Sequence, residues 1–104
     1  MILDVIRETG LPFAYHHFAE GESPEPPFLL YLYPESSNFG ADNIVYSRGT
    51  VIYLELYTDR KDPVREKLIE DALENHGFYW DKSEVWIESE SLYEVLYAME
   101  TEVN

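Results

Sequence analysis

The chain has 104 residues, 21 Asp or Glu against 7 Lys or Arg, a formal net charge of −14, three His and no Cys. The length fits one domain spanning residues 1–104, and 45% apolar with 15% aromatic residues excludes a disordered acidic tail. Without cysteine there are no disulfides, no thiolate catalysis and no Cys-based zinc site, and the negative balance argues against direct high-affinity binding to nucleic acid or to an anionic membrane surface.

Met1 leads straight into Ile2-Leu3-Asp4, with no basic leader and no apolar run near the ~20 residues of a membrane span. That pattern is expected of a cytosolic protein, or of a particle assembled in a cytosol. Ile2, Val5 and Ile6 at helical spacing, closed by Thr9-Gly10, predict a helix over 1–8. Leu11-Pro12 forces extended backbone into a predicted strand, Phe13 to Phe18. Gly21, Ser23, Pro24, Pro26 and Pro27 then make a stiffened loop.

Phe28 to Tyr33 is apolar on both faces and reads as an interior strand. Glu35 to Gly49 is rich in turn formers and reads as a long loop, with the apolar island Ile44-Val45-Tyr46 as a candidate short edge strand, expected to be mobile in the free protein and ordered by a partner. Thr50 to Tyr57 is the strongest strand, with Ile52, Leu54 and Leu56 toward the core and Val51, Tyr53, Glu55 and Tyr57 opposite. Asp62 as cap and Pro63 at the first helical position open a helix that Gly77 ends. Its apolar stripe is read as Val64, Leu68, Ile69, Ala72 and Leu73, with Glu66 and Glu70 on a solvated face.

A turn at Asp81-Lys82 and a half-exposed strand at Val85-Trp86-Ile87 follow. The last segment fits a helix stripe (Leu92, Val95, Leu96, Met99) or a strand face (Tyr93, Val95, Tyr97, Met99) equally well. The expected fold is α+β: a single, mostly antiparallel β-sheet with two α-helices packed against it.

No phosphate loop, nucleophile elbow or zinc-protease motif is present. His16 and His17 are adjacent and would point to opposite faces of a strand, so they make no metal pair. No catalytic residue, metal or cofactor is assigned, and a non-enzymatic role is expected. The tyrosines on strands, Tyr31, Tyr33, Tyr53 and Tyr57, read mainly as packing, with a few on outward faces as interface.

Five of the seven cations (Arg48, Arg60, Lys61, Arg65, Lys67) fall in one central block, whereas the segment after Asp81 is almost purely acidic. Such asymmetry suits head-to-tail self-association and equally suits pairing within one fold. As an interface it would bring Arg48, Arg60 and Lys61 of one subunit to Glu88, Glu90 and Glu94 of the next.

Three segments carry a resemblance: Ser37-Asn38-Phe39-Gly40-Ala41-Asp42-Asn43; Leu54-Glu55-Leu56-Tyr57-Thr58 with Lys61-Asp62; and Ile87-Glu88-Ser89-Glu90-Ser91-Leu92-Tyr93. Together with Gly10 to Tyr15 they resemble tail-completion, or tail-terminator-like, proteins of long-tailed phages and prophages. The resemblance implies a structural subunit that forms a ring with itself at the tail or head-tail joint, contacts neighbouring tail or connector proteins and resides in the virion. It also implies a strand for the last segment. The alternative, from the charge, is an acidic DNA mimic that inhibits a DNA-binding host protein.

Overall fold

The computed structural model describes residues 2–34 and 49–102. Seven elements follow in order: α1 (Ile2–Thr9), β1 (Phe13–Tyr15), β2 (Phe28–Leu32), β3 (Gly49–Thr58), α2 (Pro63–Asn75), β4 (Trp80–Ile87) and β5 (Leu92–Glu102), with a short 3-10 turn at Glu88–Glu90 before β5. The loop expected at Glu35 to Gly49 lies outside the described residues, except for Gly49, which opens β3.

One five-stranded sheet has the order β1-β2-β3-β5-β4, antiparallel throughout except for the parallel pair β1-β2. The fold is therefore α+β, as composition and periodicity predicted. The last segment is a strand, and it lies between β3 and β4.

Three local expectations are corrected. The first strand stops at Tyr15, because His16 adopts φ 67° and the His17 N–H donates back to the Tyr15 carbonyl at 2.7 Å. The chain then needs residues 16–27 to return for a parallel pairing, which a tight turn cannot supply. Second, Asp81-Lys82 is no turn: β4 runs through it, with Asp81 opposite Ala98 and Lys82 opposite Tyr97.

The third correction concerns α2. Its ends are as expected: the Asp62 carboxylate accepts from the Arg65 N–H at 3.1 Å, and Pro63 occupies the first turn. At the other end Gly77 takes φ 80°, with bonds from Gly77 N–H to Glu74 O and from Phe78 N–H to Leu73 O, a Schellman closure. The helix is nevertheless rotated from the predicted stripe. Ile69, Ala72 and Leu73 are buried, but Val64 and Leu68 are 72% and 58% exposed, while Glu66 is only 4% exposed.

Glu66 tolerates burial because two ammonium groups close on it. Lys61, in the turn before α2, and Lys82, on β4, each lie 2.7 Å from one of its oxygens. Lys61 also holds Glu84 of β4, and Lys82 holds Glu70 at 2.7 Å. The Tyr97 hydroxyl of β5 donates to Glu70 at 2.8 Å. Burial pushes the Glu66 carboxyl up, and hydrogen bonds from Lys61 and Lys82 more than offset this, leaving it below its ordinary value.

Beneath this network lies the core. Ile2, Val5 and Ile6 of α1 and Ile69 and Leu73 of α2 pack on Leu29, Ile52, Leu54, Leu56, Val95, Tyr97 and Met99 of the sheet. Both helices thus cover the same sheet face.

Glu66→Gln should lower the free energy of unfolding by about 1–3 kcal/mol at neutral pH, since it leaves two lysines without their shared carboxylate. Because the folded-state pKa of Glu66 is depressed, its contribution is present above the ordinary carboxylate pKa and lost as pH falls through the lowered one. Urea unfolding of both proteins should therefore show a gap at pH 7 that narrows at acid pH.

Candidate interaction surface

Strand alternation sends every second residue away from the helices, and register aligns these across the sheet. Glu55 lies opposite Leu30 on one side and Leu96 on the other, and Tyr53 lies between Leu32 and Ala98. Tyr57 lies between Phe28 and Glu94, its ring stacked on Phe28 at 5.2 Å. On β4 the outward positions are Asp81, Ser83, Val85 and Ile87. This open face carries Glu55, Asp81, Glu94 and Glu100 among apolar residues. No Lys or Arg stands on it among the described residues, and no described helix covers it.

Two carboxyls adjoin at the centre of this face. Glu55 accepts from the Tyr57 hydroxyl at 3.0 Å and is hydrogen-bonded to Glu94 on the neighbouring strand. Burial, then the charge of Glu94, raise the Glu55 pKa to about 7, against the lowering effect of Tyr57. Tyr57 is itself pushed up by burial and by the charges of Glu55, Glu94 and Glu90. Glu55 thus keeps a proton to near neutrality, which a cation placed against the pair would displace.

At one end the face deepens into an open cleft of 580 Å³, floored by Phe28, Leu30, Tyr57 and Leu92 and rimmed by Glu25, Asp59 and Glu90. Phe18 closes its side, edge-on to Phe28 at 5.3 Å. His16 and His17 lie just outside the strand they were expected to continue, with Nδ1 atoms 3.1 Å apart.

The residues singled out from the charge pattern are distributed as follows. Arg48 lies outside the described residues. Arg60 is exposed, with Asp59 3.9 Å away. Lys61 is held by Glu66 and Glu84 of its own chain. Glu88 and Glu90 lie on the 3-10 turn, and Glu94 lies on the open face. The β3 turn and the 3-10 turn meet at the cleft, where Asp59 and Glu90 face the same space. The expected Lys67 to Asp71 pair is present at 3.1 Å.

The charge pattern did not point to Val64, Leu68 or Glu55. Val64 and Leu68 had been assigned to the core, and with Thr9, Gly10, Leu11 and Arg65 they line a groove of 400 Å³ between the end of α1 and α2. A carboxylate in the otherwise apolar outward set of β3 was the one signal for Glu55. The tyrosines divide: Tyr31 packs against the core, Tyr53 and Tyr57 look outward, and Tyr15 and Tyr33 sit exposed at the β1 edge, their rings 5.9 Å apart.

Among the described residues, no helix is long and apolar enough to cross a membrane. Comparison with protein-family models finds no match, and comparison with curated proteins finds none at a significant level.

The raised Glu55 pKa has a measurable sign. Its protonated form favours the folded state, so that stability is fully present below the ordinary carboxylate pKa and is lost as pH rises through about 7. Glu55→Gln should remove this loss: thermal unfolding of the variant should match wild type near pH 5 and exceed it at pH 8.

Proposed function

We propose that this chain is a non-enzymatic structural subunit of long-tailed phage or prophage morphogenesis, completing the tail or joining it to the head as part of a ring. The observation that carries this reading is the polarity of the domain. Among the described residues, one sheet face carries apolar and acidic side chains and no cation, and the lysines and arginines lie on the helix side or in the turn before α2. A subunit with two unlike surfaces is what a closed heterologous ring requires. A ring lumen lined by carboxylates would also let DNA pass without gripping each phosphate.

The DNA-mimic alternative gains less support. A mimic needs an unbroken run of free carboxylates, whereas Asp62, Glu66, Glu70, Asp71 and Glu84 are each taken up by a lysine or arginine.

Genomic neighbourhood followed by deletion is the test. Flanking head-joining and tail-tube genes, and unjoined heads accumulating after deletion, are the expected outcomes. A metabolic operon, or normal particles without the gene, would end the reading. Complementation should distinguish the two basic residues of the turn. Arg60→Glu should lower the yield of joined particles with the fold intact, whereas Lys61→Glu should destabilise the subunit itself by breaking the Glu66 clamp.

A further inference from the structure

The cleft of 580 Å³ at one end of the sheet combines an aromatic floor with an acidic rim. Tyr57 lines it half-buried, backed by the ring of Phe28 at 5.2 Å and 20°, and Phe18 closes one side. Glu25, Asp59 and Glu90 stand at the rim, and no Lys or Arg lines the space. Asp59 has the Arg60 guanidinium 3.9 Å away, so the uncompensated carboxylates are the other two. Among the described residues, neither Glu25 nor Glu90 is in an ion pair.

We propose that this cleft binds an arginine side chain of a different protein, with the guanidinium laid over the Tyr57 ring and held by Glu25 and Glu90. This goes beyond the tail-assembly reading and does not depend on it.

The floor and the rim both select a cation. An aromatic ring attracts a cation placed over its face, and more strongly where water is displaced. The Tyr57 hydroxyl donates to Glu55 at 3.0 Å, which makes the ring richer in electrons. Burial, then the charges of Glu55, Glu94 and Glu90, push the Tyr57 hydroxyl pKa up, so the floor lies in a negative field that no neighbouring cation cancels. Among cations the geometry favours arginine. A planar guanidinium stacks on a ring and still offers N–H donors to two carboxylates, whereas an ammonium acts as a compact point charge.

The rest of the chain shows why the arginine comes from another protein. Lys61, Arg65, Lys67 and Lys82 are each held by carboxylates of their own chain, and Arg60 has Asp59 beside it. A second copy would also bring a net charge of −14 toward an acidic rim. Free arginine would carry its own carboxylate to that rim; within a polypeptide the same group is an amide.

Amide NMR spectra of the full-length protein test this, with the blocked peptide acetyl-Gly-Arg-Gly-amide as probe. Its citrulline analogue keeps the shape and removes the charge. The arginine peptide should shift the amides of Phe18, Glu25, Tyr57 and Glu90, and the citrulline peptide should leave them in place. The double variant Glu25→Gln/Glu90→Gln, both positions being exposed, should weaken binding at least about tenfold, as loss of charged hydrogen-bond partners does. Tyr57→Leu should weaken it about threefold with the fold intact by circular dichroism. If that variant does not fold, the two rim carboxylates decide the matter alone. Glu74→Gln removes one charge from an exposed position of α2 and should change affinity by less than about twofold, as a rim-specific contact requires.

Any of four results overturns the proposal. The arginine peptide causes no shifts at the cleft into the millimolar range. The citrulline peptide binds as well as the arginine peptide. Glu74→Gln weakens binding as much as the double rim variant, which makes the attraction one of bulk charge. Spermidine matches the peptide in affinity and in its dependence on Glu25 and Glu90, which makes the occupant a free polyamine.

Discussion

One buried carboxylate sets the orientation of α2, and much of the molecule's surface follows from that. Glu66 can turn inward only because Lys61 and Lys82 reach it from the preceding turn and from β4. Removing a carboxylate from water is costly, and two close ammonium groups with hydrogen bonds are the kind of compensation that offsets it. Once Glu66 faces the sheet, the 3.6-residue period directs Ile69 and Leu73 to the core and carries Val64 and Leu68 outward. The exposed apolar stripe is thus the geometrical counterpart of the buried ion cluster.

The same cluster organises the sheet edge. Among the described residues β4 makes strand hydrogen bonds only with β5, yet Lys82, Glu84 and their partners tie it to α2 and to the turn before it. An edge strand with charged side chains directed at its own helix is a poor template for pairing with another chain.

How far the sequence reached can be read from single residues. Element order was legible because its signals are local: Asp62-Pro63 opens α2, Gly77 closes it, and the β-branched run of β3 has no helical period. The last strand was ambiguous because both its faces are apolar: Val95, Tyr97 and Met99 meet the core while Leu96 and Ala98 line the open face, which hides the two-residue period. The rotation of α2 was not legible, since Val64 and Leu68 fit the apolar stripe as well as any residue, and nothing local shows that Lys61 and Lys82 converge on Glu66. The parallel β1-β2 pair was missed for a similar reason: it depends on the path of residues 16–27. At the candidate surface, the outward set of β3 was read correctly, but the closeness of Glu55 to Glu94 comes from a pairing between distant segments.

The position of β5 has a consequence for how the protein is made. The most C-terminal of the described strands lies near the middle of the sheet, pairing with β3 along its whole length and with β4 on its other side. Until β5 leaves the ribosome, β3 lacks one of its neighbours and the faces of Ile52, Leu54 and Leu56 lack Val95, Tyr97 and Met99. A nascent chain in that condition holds an apolar strand with one edge open, and contacts between distant segments close slowly. The dense acidic charge keeps such chains apart by mutual repulsion, and the sheet can fold cooperatively only once β5 has been made.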